Sequence, residues 1–200
     1  MQANVFAVFS KRLNTFSQTH FLMSHLKRVF IMSLLTSLFS ACASNPLPSI
    51  ATVPNVNLKQ FMGDWYVIAS IPTAIETEAF NAIESYKLND DGTIATTFTF
   101  NKGSFDGKVK TYEPKGFVIE NSGNALWGMQ FIWPIKAEYR ITYLDPNYSQ
   151  TIIARNARDY VWIMARDPNM SDADYAKLTK IVADYGYDIT KLRRVPHQKK

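Results

Sequence analysis

The feature that most restricts the fold of this sequence is a series of short strand-like segments, repeated about every ten residues. Each segment is rich in β-branched and aromatic residues, and turn-forming residues such as Asn89–Gly92 separate neighbouring segments. No segment with helical periodicity lies between them, which excludes parallel strand–helix–strand units. The eight predicted strands are Trp65–Ile71, Phe80–Leu88, Thr93–Phe100, Lys108–Ile119, Ala125–Trp133, Glu138–Leu144, Ser149–Asn156 and Tyr160–Arg166.

Consecutive strands joined by tight turns predict an all-β fold, an eight-stranded up-and-down antiparallel β-barrel, because closure leaves no unpaired edge. A barrel of this size holds either packed side chains or one small ligand. After the strands, Ser171 as an N-cap, apolar residues at helical spacing and Gly186 as a stop predict one C-terminal α-helix packed outside. We expect Leu192–Val195 to form a short final strand and Pro196–Lys200 a solvated tail.

Residues 1–41 have the layout of a secretory leader. Met23–Arg28 is a short cationic segment, and Val29–Phe39 is an apolar run that is too short to span a bilayer. We expect translation to begin at Met23. The sequence predicts a lipidated cysteine and tether in residues 42–54 and the barrel with its helix in residues 55–200. Cys42 is the only cysteine, so no intrachain disulfide can form.

The net charge of +5 arises almost wholly from the leader. Four basic residues and no acidic residue lie in residues 1–42, whereas the remaining residues carry 18 basic and 17 acidic side chains. The barrel region therefore lacks the basic field that attracts phosphate backbones, and we expect no nucleic-acid partner.

The histidines argue against an enzyme. His20 and His25 lie in the leader and His197 lies in the tail, so the barrel offers no histidine base, cysteine nucleophile or histidine metal site. Glu76 and Glu78 follow the first strand, and we interpret them as a solvated rim of the open mouth. The sequence predicts no catalytic residue, no metal site and no cofactor.

Three motifs resemble the signatures of the lipocalin family. Gly63–Tyr66 resembles its Gly-x-Trp-Tyr motif, Leu144–Tyr148 resembles its Asp and Tyr motif between strands six and seven, and Arg166 matches the third at the end of strand eight. The motifs occur in the family's order. Arg158–Arg166 and Tyr185–Leu192 are similar to the branch that includes bacterial outer-membrane lipoproteins.

The resemblance implies a closed barrel end in which the arginine packs on the tryptophan. The residues to which it assigns this structural role are Gly63, Trp65, Asp145, Tyr148 and Arg166.

The end of the leader also resembles a bacterial lipobox. Leu38, Ser40, Ala41 and Cys42 fit that pattern, whereas Phe39 replaces its usual aliphatic residue. The resemblance implies acylation of Cys42 and a lipid-anchored protein at the periplasmic face of the outer membrane of a Gram-negative bacterium. An unmodified secreted protein is the alternative.

Strand alternation predicts the cavity lining, if Trp65 points inward. Ile71 shares this parity, and the candidate lipid-binding residues are Val67, Ala69, Trp127, Met129, Phe131, Tyr139, Ile141, Tyr143, Tyr160, Trp162 and Met164. These side chains are apolar or carry a phenol hydroxyl, which suits an acyl chain with a polar head near the open end. A collapsed aromatic core without a cavity is the alternative.

Together these features predict a membrane-anchored protein that binds and transports or stores a long-chain fatty acid or lysophospholipid for envelope maintenance. Two alternatives are an enzyme on a lipocalin barrel, acting on a lipid or isoprenoid, and a structural envelope lipoprotein with a filled barrel. The sequence leaves open the ligand's head group, the direction of transport and whether two barrels form a homodimer.

Overall fold

The structure is a computed structural model that describes residues 47–198, so the leader and Cys42 lie outside the described residues. The strands are β1 Gly63–Ile71, β2 Ala79–Leu88, β3 Ile94–Lys102, β4 Val109–Tyr112, β5 Lys115–Val118, β6 Leu126–Ile132, β7 Ile135–Leu144, β8 Gln150–Ala154, β9 Val161–Ala165 and β10 Arg193–Arg194. The helices are α1 Leu58–Phe61 and α2 Asp172–Asp184, and a 3-10 helix follows at Ile189–Lys191.

The sheet closes on itself, because β1 pairs with both β2 and β9. β4 and β5 both pair with β3, so together they count as one strand of the barrel, which is interrupted at Pro114. The two-residue β10 is an addition beside β1. The predicted eight-stranded antiparallel barrel is therefore confirmed, and the interruption at a proline is expected because its nitrogen cannot donate to the ladder.

Two β-bulges change which side chains face inward. On β1, Val67 pairs with Met164 but Ala69 pairs with Ile163, so Ile68 is an extra residue in this strand. On β7, Ile141 pairs with Ile153 but Tyr143 pairs with Ile152. A single extra residue reverses the parity of everything that follows it in the strand.

The wall of the barrel separates two apolar cores. The inner core includes Phe61, Trp65 and Trp127. The outer core lies between the wall and α2, to which the helix contributes Leu178 and Val182, both fully buried. The Ser171 hydroxyl accepts the Asp174 backbone N–H and caps this helix, as predicted. The confirmed C-terminal helix therefore covers the outside of the barrel.

The chain segments that flank the barrel are docked on it. Ile50 is buried in the outer core, and its backbone N–H donates to the Asn156 side chain at 2.9 Å. Residues 47–54 of the predicted tether have no helix or strand, and Ile50 anchors this stretch on the barrel. The tail is also not simply solvated, since His197 Nε2 lies 2.9 Å from the Val67 carbonyl oxygen. Within residues 47–198, none of the helices has the length and apolar character needed to cross a membrane.

Candidate functional site

The barrel contains a cavity of about 480 Å3, within the range of about 300–1,000 Å3 that is usual for small-molecule sites. It opens between the loop after β1 and the β6–β7 hairpin. The lining residues are Thr73, Ala74, Ile75, Glu76, Glu84, Thr96, Phe98, Tyr112, Pro114, Met129, Phe131, Ile132, Ala137, Glu138, Tyr139, Arg155, Tyr160 and Trp162. Most of this lining is apolar, so the cavity suits a hydrophobic chain.

The floor of the cavity is polar. Glu84 and Tyr86 on β2 lie opposite Trp65 and Gly63 at the start of β1, which places them toward the closed end. The Tyr86 hydroxyl donates to the Glu84 carboxylate, and it lies 2.6 Å from the Tyr139 hydroxyl. The Tyr139 hydroxyl, the Tyr86 hydroxyl and the Glu84 carboxyl group therefore form one hydrogen-bonded chain.

Aromatic rings fill the barrel beneath this floor. The Trp127 ring stacks on Tyr139 with centroids 5.1 Å apart, and Phe61 meets the edge of Trp127 at 5.5 Å. The Trp127 indole N–H donates to the Asn124 carbonyl oxygen at 2.7 Å. The lower half of the barrel is therefore a packed core, and the cavity occupies the upper half. Such a core is stable because the polar atoms of its rings have hydrogen-bond partners.

Burial changes the protonation of the floor. Removal from water raises the pKa of Glu84 to about 8, and the neighbouring charge of Glu76 acts in the same direction. Burial, together with the charge of Glu84, raises the pKa of Tyr139 well above its ordinary value. At neutral pH the neutral carboxyl form of Glu84 is therefore favoured while no cation is nearby.

Glu76 forms a second carboxylate at the mouth. It is only 4% exposed, and it accepts hydrogen bonds from the Thr73 backbone N–H at 2.9 Å and from the Trp162 indole N–H at 3.2 Å. Burial raises its pKa, although these hydrogen bonds oppose the shift. The interpretation of Glu76 as a solvated rim is wrong, because the loop folds it against Trp162. Glu78 is exposed and lies 3.8 Å from Lys102.

Arg155 is the basic residue among the described residues that line the cavity. Its guanidinium is 3.3 Å from the Asp159 carboxylate and 5.3 Å from the centre of the Tyr160 ring. Arg155 therefore already has an acidic partner within the chain.

The closed end is built around one guanidinium group. The centre of the Arg166 guanidinium lies 3.9 Å from the centre of the Trp65 ring. The same group donates to the backbone carbonyls of Gln60, Phe61, Met62 and Asp64 and to that of Tyr148, at distances of 2.6–3.4 Å. Partial burial lowers the pKa of Arg166. Arg166 thus satisfies the carbonyl groups at the end of α1 and seals the barrel.

Neighbouring residues fix the same end. Gly63 has a φ of +91°, and a Cβ there would lie 3.4 Å from the Arg166 guanidinium, which favours glycine. Burial alone would raise the pKa of Asp145, but backbone N–H donors including those of Gln150 and Ser149 outweigh it and lower the pKa. The Tyr148 hydroxyl accepts the Asn57 backbone N–H at 2.9 Å.

A sequence profile of the family described as Lipocalin-like domain matches residues 56–197. The chain belongs to the lipocalin family. It is 31% identical over 158 residues to temperature-induced lipocalin-1 of Arabidopsis thaliana, and the aligned region covers 72% of the chain and 81% of the relative. It is 28% identical over 154 residues to the outer membrane lipoprotein Blc of Escherichia coli, covering 76% and 85%.

Solved lipocalin structures share the fold. Insecticyanin from the tobacco hornworm Manduca sexta superposes with a TM-score of 0.60 at 14% identity, covering 76% of the chain and 86% of that structure. The allergen Per a 4 from cockroaches gives a TM-score of 0.56 at 17% identity, covering 76% and 93%.

The lipocalin barrel places the predicted pocket residues in three groups. Met129, Phe131, Tyr139, Tyr160 and Trp162 line the cavity, with Phe131 49% exposed at the mouth. A second group is buried in the inner core without lining the cavity, and consists of Val67, Trp127, Ile141 and Met164. The residues of both groups face inward, but only the first can contact a ligand directly.

The third group lies on the outside of the wall, so the prediction was wrong for its members. Ala69 and Ile71 follow the bulge on β1 and belong to the outer core. Tyr143 follows the bulge on β7, and its hydroxyl accepts a hydrogen bond from Lys177 of α2 at 3.0 Å. Each bulge inserts one residue and turns the next side chain to the other face.

Glu84 is the most unusual lining residue, and it is absent from the residues that strand alternation predicts. The alternation of Ala82, Glu84 and Tyr86, with both neighbours buried, was the available signal. This signal is weak, because an acidic side chain in a strand ordinarily faces water. Within residues 47–198, no group of three histidine, cysteine, aspartate or glutamate side chains is arranged to hold a metal ion.

Proposed function

We propose that this lipocalin binds one long-chain lipid, a fatty acid or a lysophospholipid, in the barrel cavity and transports or stores it at the bacterial envelope. The observation that carries the proposal is the cavity itself, which is apolar along its walls and open at one end. A barrel filled to the rim by side chains would offer no such volume. The packed lower half limits the ligand to the upper half of the barrel.

The surface around the mouth supports exchange with a membrane. The tip of the β6–β7 hairpin exposes Ile132 by 72%, Trp133 by 82% and Ile135 by 68%, and Phe131 beside them is half exposed. Exposed apolar side chains in such a group favour contact with another apolar surface. Lipid can then pass between the bilayer and the cavity with little apolar surface in water.

Anchoring through an acylated Cys42 at the periplasmic face of the outer membrane completes the proposal. The relative from Escherichia coli is named an outer membrane lipoprotein, which supports this location. An acylated cysteine would keep the mouth close to its lipid source.

Native mass spectrometry of the full-length chain, purified from membranes, tests lipid binding. We expect one co-purified single-chain lipid, whose mass does not change on incubation. The variant Ala137→Trp should retain about a tenth of the lipid or less, because an indole at this lining position occupies the ligand's volume. Thr111→Trp is the matched control, since Thr111 is exposed on the outer face of β4.

Equal lipid retention by both tryptophan variants would exclude the cavity as the binding site. A lipid whose mass changes during incubation would instead indicate an enzyme. Absence of lipid from the wild-type chain, with no uptake of added lipid, would favour a structural lipoprotein.

The anchor has its own test in a Gram-negative host. Radiolabelled palmitate should enter the wild-type protein but not the Cys42→Ser variant, because serine lacks the thiol that carries the acyl group. Failure of the wild-type protein to take up label would disprove the anchor, whatever the result for the cavity.

A further inference from the structure

The floor of the cavity carries a carboxyl group that has no cation beside it. Glu84 accepts a hydrogen bond from Tyr86, and within residues 47–198 no lysine or arginine nitrogen lies within 4.0 Å of its oxygens. A carboxylate can accept about four hydrogen bonds, so Glu84 keeps unused acceptor capacity that faces the cavity.

A second carboxyl group reinforces the negative character of the same cavity. Glu76 lines it from the mouth loop, and its hydrogen-bond partners Thr73 and Trp162 are both neutral donors. Arg155, the basic side chain of the lining, pairs with Asp159 at the rim. Two carboxyl groups therefore face one apolar cavity without a salt bridge from the described residues.

This arrangement restricts how a ligand can enter. A fatty acid that enters head first would place a second carboxyl group beside Glu84, and at low dielectric constant the two groups cannot both be ionised. A chain that enters tail first would press a methyl group against Glu84 and leave its remaining acceptor positions without partners, although the Tyr86 and Tyr139 hydroxyls keep their mutual hydrogen bond. A cationic head at the floor instead pairs with Glu84 and leaves the chain against the apolar walls.

We propose that this cavity selects single-chain amphiphiles with an ammonium head, which bind head first with the nitrogen against Glu84 and the chain directed to the mouth. The walls fit this orientation, because Phe98 and Met129 line the cavity with apolar side chains and Phe131 and Ile132 are exposed at its mouth. The inference rests on the proposed function in that it uses the same cavity.

Isothermal titration calorimetry of the full-length chain with dodecylamine, dodecanoate and dodecanol at neutral pH tests the proposal. The three probes share one chain and differ in the charge of the head. We expect dodecylamine to bind about tenfold more tightly than dodecanol, because it makes a charge-assisted hydrogen bond, and dodecanoate to bind most weakly.

The variant Glu84→Gln keeps the size of the side chain and removes the charge. It should weaken dodecylamine binding by about tenfold, leave dodecanol nearly unchanged and strengthen dodecanoate. Glu78→Gln is the matched control, because Glu78 directly precedes β2 but is exposed and does not line the cavity, and it should change none of the three affinities.

Dodecanoate binding as tightly as dodecylamine, or an equal loss of all three probes in Glu84→Gln, would overturn the selectivity while leaving lipid binding intact. Failure of all three probes to bind the folded wild-type chain would overturn the proposed function, and this inference with it.

Discussion

The two ends of the barrel use the same residue types in opposite ways. At the closed end, Trp65 is fully buried beneath Arg166, and the guanidinium has a partner for each of its nitrogens. At the open end, Trp133 is 82% exposed, and the cavity below it ends at Glu84, which forms no salt bridge within residues 47–198. Closed-end interactions are satisfied within the chain and stabilise the fold, whereas open-end groups remain available for a ligand or a surface.

The difference shows where stability and binding can be separated. The polar groups of the closed end are hydrogen-bonded and excluded from water, so removing one leaves others unpaired. Substitution of the exposed side chains at the open end removes little packing, because these side chains lie mostly in solvent. Substitutions should therefore divide into those that change the free energy of unfolding and those that change ligand affinity.

Arg166→Ala should have the largest effect on stability. The loss of the stacking on Trp65 and of several charged hydrogen bonds should lower the free energy of unfolding by about 3 kcal/mol. Urea denaturation measures this change. Arg194→Ala is the matched control, since Arg194 stacks on Tyr175 at 3.8 Å but is half exposed, and its loss should be about 1 kcal/mol or less. Equal losses in the two variants would refute the special role of the closed end.

Glu84→Gln should have an effect on stability between those of Arg166→Ala and Trp133→Ser, and this effect should depend on pH. The folded pKa of about 8 lies above the ordinary 4.5, so the folded state binds more protons between these values and stability falls as pH rises through this window. The raised pKa of Glu76 acts in the same direction. Glutamine cannot ionise, so the variant should lose part of this slope and exceed the wild type in stability near pH 8.

Thermal unfolding of both proteins across this pH range provides the measurement. Parallel curves for the wild type and Glu84→Gln would show that Glu84 ionises freely in the folded protein. The assignment of its carboxyl group to a buried site at the cavity floor would then be wrong.

Trp133→Ser should have the smallest effect on stability, although it removes the largest side-chain type. An exposed ring at a hairpin tip has little packing to lose, so the free energy of unfolding should change by about 0.5 kcal/mol or less. Binding to phospholipid vesicles, measured by sedimentation, should nevertheless decrease. A loss of several kcal/mol would mean that the hairpin tip is packed against something in solution.

Sequence reasoning succeeded where one local pattern had one structural solution. The motifs around Trp65, Asp145 and Arg166 lie together at the closed end, as the lipocalin resemblance implied. The cavity lining was harder, since it depended on counting alternate residues. Ala69 and Tyr143 were misplaced because a bulge adds one residue without any change in the hydrophobic pattern.

Arg140 shows that strand parity alone does not give the exposure of a side chain. Arg140 faces outward, as its position between Tyr139 and Ile141 predicts, but its side chain is only 12% exposed. Its Nε donates to the Ile50 carbonyl oxygen at 3.2 Å, so a change there would release the docked N-terminal segment. Parity gives the face of a strand, whereas the exposure on that face depends on what packs over it.

The sequence by itself determined the closed antiparallel barrel and the outer helix, because turn chemistry, alternation and capping are local properties, and its resemblance to the lipocalin motifs indicated the residues of the closed end. Only the tertiary structure decided which inward residues meet the cavity, and that Glu76 and Glu84 face it. The reason is physical: the inward side of a strand is set by hydrogen-bond register with its neighbours, and the protonation of a carboxyl group is set by the water excluded around it.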